Sequence, residues 1–335
     1  MKKLRWGVLG CGKIARRLAQ TFAFSKTSEL VAAGSRTLEG ARAFAAEFRL
    51  PHAHGSYAEL LANPAVDAVY IATPHSEHAA WALRSAEAGK HILCEKPLTL
   101  CAADTEKVVA AARAHKVILL EAFMYRSHPL TALWMQLLRE GAIGELQGIQ
   151  SCFSFRSDWQ PEGRLLNPAL GGGGILDVGC YPVSLARLAA GIAAGKPFAE
   201  PVRVAGFAHF GETGVDEYAS ALLQFEGDIV AEVACGVRLS RDNTARFFGT
   251  KGQMKVPDPF FCRSDVFVWK AGATEPQVYK NPAPKADLYV FQVDAMARHI
   301  YTGQAMYPAM SWESSLSQAR TLDRWRDAVK LQQTL

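Results

Sequence analysis

Leu4-Arg5-Trp6-Gly7-Val8-Leu9-Gly10-Cys11-Gly12-Lys13-Ile14-Ala15 is the stretch whose reading decides the fold. Leu4 to Leu9 is an apolar, strand-like run, and a glycine turn of the form G-x-G-x-x-A follows it at once. From Ile14 to Phe24 the apolar residues Ile14, Leu18 and Phe22 recur at helical spacing. Strand, glycine turn and helix in that order make a dinucleotide fingerprint. Gly10 permits the tight turn, Gly12 lets a pyrophosphate approach the backbone, and Ala15 lets the helix pack close to the sheet. Cys11, Lys13 and Ile14 complete the turn, and the helix start offers free N–H groups and a positive dipole end to phosphate.

Outward from the turn, strands and helices alternate. Glu29 to Gly34 reads as the second strand and ends in Ser35-Arg36-Thr37. A carboxylate at such a tip would grip the ribose 2′-hydroxyl of NAD, and none stands there; the nearest, Glu39, lies beyond the turn. Arg36 suits a 2′-phosphate instead, with Ser35 and Thr37 as hydroxyl donors, so the expected cofactor is NADP, with NAD the alternative. Leu38 to Arg49 and Tyr57 to Leu61 read as helices, and Ala68 to Ala72 as a strand ending in Thr73-Pro74-His75-Ser76-Glu77-His78. No further His or Cys completes a metal shell around His75 and His78, so Thr73, Pro74, His75 and His78 are read as a cofactor-edge loop that opens the helix Glu77 to Ala88. Gly89 is the expected helix stop. His91 to Cys94 is then a short buried strand that breaks off in Glu95-Lys96-Pro97, placing Glu95 and Lys96 where open α/β sheets bind ligands. A helix from Ala102 to His115 and a strand from Val117 to Glu121 close a doubly wound parallel sheet, domain 1–123.

Beyond that point the pattern changes. After a helix from Pro129 to Glu140 come Gly148 to Arg156, Val202 to Phe210, Glu217 to Phe225, Val230 to Arg238, Thr244 to Gly249 and Ser264 to Lys270, strands with few helices between them. They predict an α+β domain, 124–335, with a large, mainly antiparallel open sheet, closed by an amphipathic helix from Ser311 to Leu331. One face of that sheet needs cover, and a homodimer would supply it. Gly171-Gly172-Gly173-Gly174 precedes Ile175-Leu176-Asp177-Val178-Gly179-Cys180-Tyr181-Pro182. The glycines are read as room for a ligand, and Asp177 and Tyr181 share one helical face.

Composition removes other classes of function. The 335 residues are 49% hydrophobic and 21% charged, ordinary for a globular chain of two domains. The net charge of +5 is spread rather than gathered, without the basic face and stacking aromatics that nucleic acid requires. Seven scattered cysteines with no C-x-x-C pair argue against a disulfide framework and against a structural metal site. No signal-peptide h-region and no apolar stretch long enough to span a bilayer are read in the chain, so the expected location is the cytoplasm, with no membrane partner.

The glycine turn, Glu95-Lys96-Pro97 and Asp177-Val178-Gly179-Cys180-Tyr181, in that order and over essentially the whole chain, resemble the Gfo/Idh/MocA oxidoreductases. Glu121-Ala122-Phe123-Met124-Tyr125-Arg126, Glu212-Thr213-Gly214-Val215-Asp216 and Gly249-Thr250-Lys251-Gly252 look most like the branch of dimeric dihydrodiol dehydrogenases and NADP-dependent D-xylose dehydrogenases. The resemblance implies that Lys96 and Tyr181 face nicotinamide and substrate from the two domains, with tyrosine at a position that is histidine in many relatives. The dihydrodiol enzymes carry tryptophan where this chain has Met124, which favours a sugar or polyol over an aromatic diol.

The expected chemistry is hydride transfer at a CH–OH carbon, in either direction. Tyr181 is the candidate acid/base, since a neighbouring ammonium such as Lys96 favours a phenolate. Lys96 would also stabilise charge on the reacting oxygen, and Asp177 would orient a substrate hydroxyl or Lys96. Arg126 and Arg156, with Met124, are candidate pocket residues. A nucleotide-sensing regulator would tend to lose Lys96 or Tyr181, and an NAD-dependent glycoside hydrolase fits Arg36 poorly.

Overall fold

The computed structural model describes residues 3–331, which group into two compact units. The first takes the described residues up to Ser127 together with Ala286–Leu316; the second takes His128–Lys285 and the described residues from Ser317 onward.

In the first unit the strands are β1 (Leu4–Leu9), β2 (Ser28–Gly34), β3 (His52–His54), β4 (Ala68–Ile71), β5 (His91–Cys94) and β6 (Leu119–Glu121). All pair in parallel, in the order β3-β2-β1-β4-β5-β6. Helices α1 (Lys13–Thr21), α2 (Leu38–Phe48), α3 (Tyr57–Leu61), α4 (His78–Glu87) and α5 (Ala102–Ala114) make the crossovers. β4 and β6 are buried from end to end, and β5 from Ile92 to Cys94, because helices cover the sheet. Leu60 of α3, Ala82 of α4 and Val108 of α5 share one core cluster with Leu9, Ile71, Ile92 and Leu119. Strand order reverses between β1 and β4, and such sheets take ligands beyond the carboxyl ends of the strands at that point.

A single cut at 123/124 does not describe the first unit, because Ala286–Leu316 returns to it. Polar ties explain the return. Asp287 accepts from Arg17 at 2.8 Å and Thr21 at 2.7 Å, and Asp294 accepts from Ser25 and Thr27, each at 2.6 Å. These ties anchor a helix that apolar periodicity does not announce, α8 (Val290–His299).

The second unit is built on α6 (Pro129–Arg139), α7 (Cys180–Ala193), β7 (Leu146–Ser154), β8 (Arg203–Phe210), β9 (Asp216–Gln224), β10 (Val230–Gly236), β11 (Thr244–Gly249), β12 (Gly252–Pro257), β13 (Val266–Lys270) and β14 (Gln277–Tyr279). The last helix is α9 (Trp312–Leu331). The eight strands run in the order β14-β13-β12-β11-β7-β10-β9-β8, antiparallel except for the parallel pair β7–β10. Inward residues of β7 and β11, among them Ile149, Phe153 and Phe247, pack beneath α6 and α7, where Trp134 stacks on Phe247 at 5.2 Å. The alternate residues face outward, and Phe207 (68% exposed), Leu222 (52%), Val230 and Phe248 make that face apolar.

The expectation that no apolar stretch is long enough for a bilayer needs correction. The helical run Pro168–Ala193 has the length and apolarity to cross one, and 94% of the apolar window is buried inside the protein. Apolar on all sides, it is the core helix of the second unit.

Candidate active site

In the first unit the glycines of the fingerprint differ in what demands them. Gly10 has φ +94°, and a Cβ there would sit 2.9 Å from the Ala72 carbonyl oxygen, so both conformation and space require glycine. Gly12 has an ordinary φ of −79°, and a Cβ there would meet nothing within 4 Å. The space over the start of α1 is therefore open, as the approach of a pyrophosphate requires. α1 has no side-chain cap at Gly12 and no carboxylate in its first turn, so its dipole and orphan N–H groups stay available around Lys13 and Ile14. Ala15 is buried against the sheet. The Cys11 thiol reaches the Gly34 carbonyl at 3.6 Å, and burial pushes its pKa up to about 11; it braces the turn as a neutral group.

At the tip of β2, the Thr37 hydroxyl caps α2 by accepting from the Gly40 N–H at 3.2 Å, and the Ser35 N–H donates to the His54 carbonyl. The Arg36 side chain is exposed and makes no hydrogen bond or ion pair among the described residues. Arg36 is a cation at a strand tip with no carboxylate, next to the hydroxyl of Ser35.

The loops after β4 and β5 are tied to each other by His78. Its Nδ1 lies 2.8 Å from the Pro97 carbonyl oxygen and its Nε2 lies 3.1 Å from that of Thr73. Burial pushes its pKa down to about 4, with Lys96 adding to the effect, so the ring is neutral. The reading of His78 as a cofactor contact is corrected here: the ring is wholly buried, its two nitrogens face the carbonyls of the two loops, and its single N–H donates to one of them at a time. His75 is also buried, ring edge toward His78 at 5.5 Å, just after Pro74. The Thr73 hydroxyl is buried without a hydrogen-bond partner at the carboxyl end of β4, an orphan that a ligand group can satisfy. Glu95 is turned inward and accepts from the Tyr70 hydroxyl, while Lys96 is half-buried at the end of β5 and joined to Pro97 by a cis peptide.

In the second unit, Asp177 lies on a π-helical turn, Ile175–Gly179, and Tyr181 on the first turn of α7. Four residues is close to one turn in either geometry, so both remain on one side of the helix. Asp177 is buried, and Arg164, itself half exposed, donates to its Oδ1 at 2.7 Å. The Tyr181 ring sits in an aromatic box, edge-on to Phe153 at 5.1 Å and tilted against Phe260 at 5.2 Å. The glycine run holds the chain's own groups rather than the room for a ligand expected of it. Gly173 donates to the Leu165 carbonyl at 2.9 Å, a Cβ on Gly172 would sit 2.8 Å from that oxygen, and Gly173, with φ +115°, lies against the Asp216 carboxylate.

The remaining candidates are placed differently from expectation. Arg126 is buried, its Nε donating to the Pro308 carbonyl at 2.6 Å, which makes it a brace within the first unit rather than an open pocket wall. Met124 is buried in the 3-10 turn after β6. Arg156 is exposed just past the end of β7, bridged to Arg238. Two residues escaped sequence reasoning: Arg164, an undistinguished loop arginine until its pairing with Asp177 is seen, and Asp216, which only the resemblance had touched.

Residues 4–123 match the family model described as "Oxidoreductase family, NAD-binding Rossmann fold", and residues 133–255 match the GFO/IDH/MocA C-terminal domain. The chain is 38% identical over 255 residues to the trans-1,2-dihydrobenzene-1,2-diol dehydrogenase of Mus musculus, covering 76% of this chain and 74% of that one. It is 34% identical over 321 residues to D-xylose 1-dehydrogenase (NADP(+)) 2 of Haloferax volcanii, covering 96% and 95%. Among solved structures, KijD10, a 3-ketoreductase from Actinomadura kijaniata in complex with NADP and TDP-benzene, superposes with TM-score 0.86 at 29% identity over 98% of both chains. An aldose-aldose oxidoreductase from Caulobacter crescentus complexed with glycerol does so with TM-score 0.87 at 26% identity, covering 99% and 98%. With both domain models in chain order, the uncapped glycine cradle at the switch point and the lysine at the end of β5, this chain belongs to the Gfo/Idh/MocA family of NAD(P)-binding oxidoreductases.

Proposed function

We propose that the protein is an NADP-dependent dehydrogenase or reductase that moves a hydride between nicotinamide and a hydroxyl- or carbonyl-bearing carbon of a sugar or related polyol. The observation that carries this is the crevice of the first unit: a glycine cradle open over an uncapped helix start, an unpaired arginine at the β2 tip and Lys96 at the end of β5. The relatives named for D-xylose and for aldoses support the substrate class, the 3-ketoreductase supports the reaction at a carbonyl or hydroxyl carbon, and those bound to or named for NADP support the cofactor.

The turn Gly10 to Ile14 would hold the pyrophosphate on its N–H groups, Arg36 and Ser35 the 2′-phosphate, and the Thr73 hydroxyl a polar group near the sheet edge. When bound, the nicotinamide supplies the hydride chemistry. Lys96 donates a hydrogen bond to the reacting oxygen and stabilises charge as it develops there. Tyr181 gives or takes the hydroxyl proton. Asp177, held by Arg164, accepts from a second hydroxyl of the substrate and fixes its orientation. The protein works as a homodimer paired through the open face of the eight-stranded sheet, and a reducing, cytoplasmic setting suits its seven free cysteines.

The test mixes the protein with NADP+ and D-xylose, D-glucose and a trans-dihydrodiol, and follows NADPH absorbance. Tyr181→Phe and Lys96→Met are each expected to lower kcat by about 10²-fold or more, as removal of a positioned proton donor or oxyanion partner does. The dissociation constant for NADPH should stay within about twofold. Near-wild-type turnover in either variant sinks the assignment of roles. Silence across the panel with NADPH bound points to a nucleotide sensor or to a substrate outside the panel.

A further inference from the structure

Asp216, the first residue of β9, takes no part in the chemistry above, yet it is bonded to the turn that carries it. Its Oδ2 accepts the Ile175 N–H at 2.6 Å, and the Gly174 N–H bonds to it as well. A Cβ on Gly173 would collide with its Oδ1, and one on Gly174 would lie 3.3 Å from its Oδ2. Glycines at these two positions thus clear the space that the carboxylate fills. Gly174 occupies the cap position of the π-helical turn Ile175–Gly179 and has no side chain to cap it. Asp216, distant in sequence, supplies the missing acceptor, and a carboxylate at a helix start is favoured by the dipole. That turn contains Asp177, and Tyr181 follows in the first turn of α7.

We propose that Asp216 is a positioning residue: by gripping the first amides of the π-helical turn, it sets where Asp177 and Tyr181 stand without touching the substrate itself. The inference rests on the reading of Asp177 and Tyr181 as reaction-centre groups. The amides favour the ionised carboxylate, which accepts on both oxygens and carries the charge, whereas a protonated carboxyl keeps only its carbonyl oxygen as a full acceptor. Around Asp216 stand Cys235 of β10, whose thiol burial keeps neutral, and Arg326 of α9, which is paired with Asp323 at 3.6 Å; Glu217 follows on its own strand. Burial pushes the Asp216 carboxyl up to about 7, against the pull of the Ile175 and Gly174 amides and Arg326.

The experiment compares wild type, Asp216→Asn and Tyr181→Phe in the full chain, by hydrogen exchange at pH 8 and by turnover on the NADP+ panel above. In Asp216→Asn the amides of Gly174 to Gly179 should exchange about tenfold faster at pH 8, a factor equivalent to about 1.4 kcal/mol of lost local stability. Turnover should fall about tenfold with the KM for NADP+ unchanged. The folded carboxyl titrates above a free aspartate, so its ionisation costs stability as pH rises through about 7, and the melting temperature of Asp216→Asn at pH 8 should not fall. Wild-type protection and turnover in Asp216→Asn overturn the proposal, as does a lowered melting temperature with loss of protection throughout α7, which marks a folding residue. Unimpaired turnover in Tyr181→Phe instead sinks the reading of the reaction centre and leaves the exchange result to be judged separately.

Discussion

On the proposed function Arg36 is the residue expected to decide cofactor choice, and its position makes the effect separable from catalysis. It stands exposed at the β2 tip and makes no hydrogen bond or ion pair among the described residues, so removing it breaks no such tie in the fold. A charge-assisted hydrogen bond contributes about 1.5–3 kcal/mol, so Arg36→Ala should raise the KM for NADP+ about 10- to 100-fold. The KM for NAD+ should move less than about threefold, and steady-state kinetics with both coenzymes checks this. An equal change for both would remove Arg36 from the 2′-phosphate. The residues of the cradle were legible in sequence because each requirement is local: a tight turn at Gly10, open space at Gly12, a close-packed Ala15. The run Gly171 to Gly174 was not, because Asp216 and the Leu165 carbonyl fill the space the glycines make, and those partners are brought there only by folding.

Among the elements, α4 shows how a helix start can hold two loops. Its first residue, His78, faces the carbonyls of Thr73 and Pro97, and a neutral imidazole donates to only one of them at a time. The folded pKa of about 4 lies below that of a free histidine, so the folded protein refuses a proton the unfolded chain accepts. The contribution is fully present above about pH 6.5 and is lost as pH falls toward 4, on the order of 3 kcal/mol at one pKa unit per 1.36 kcal/mol. His78→Gln, which keeps a donor and cannot titrate, should flatten the fall in melting temperature between pH 6.5 and 4, and thermal melts across that window check it. An unchanged slope would exclude His78 as a source of the acid loss. Sequence periodicity located α4 closely but assigned His78 to the cofactor, since a histidine beside a ligand loop looks the same whether its ring faces the ligand or the loop's carbonyls. The short strands β3 and β14 escaped for a related reason: three residues carry no alternation to read.

For the whole molecule, the outer face of the eight-stranded sheet is the feature to explain. It carries Phe207, Leu222, Val230 and Phe248 exposed, and a groove of about 600 Å³ lined partly by Cys152, Phe207 and Leu222, with Glu232 and Arg246 beside them. An apolar face that also carries charges of both signs offers the apolar cover and the opposite charges that an isologous two-fold interface uses. Sedimentation should therefore give a dimer at micromolar concentration, and Leu222→Arg should give a folded monomer; a monomeric wild type would refute the pairing. By itself the sequence determined the parallel sheet, the antiparallel sheet, the glycine cradle and the cationic β2 tip, because strand burial, helical spacing and turn chemistry act over a few residues and leave their pattern in the order of the chain. Tertiary structure alone decided that Ala286–Leu316 joins the first unit, that His78 and Arg126 are braces, and that Arg164 and Asp216 hold the turn bearing Asp177. Those outcomes rest on hydrogen bonds and ion pairs between residues remote in sequence, whose energies depend on burial and distance that exist only once the chain has folded.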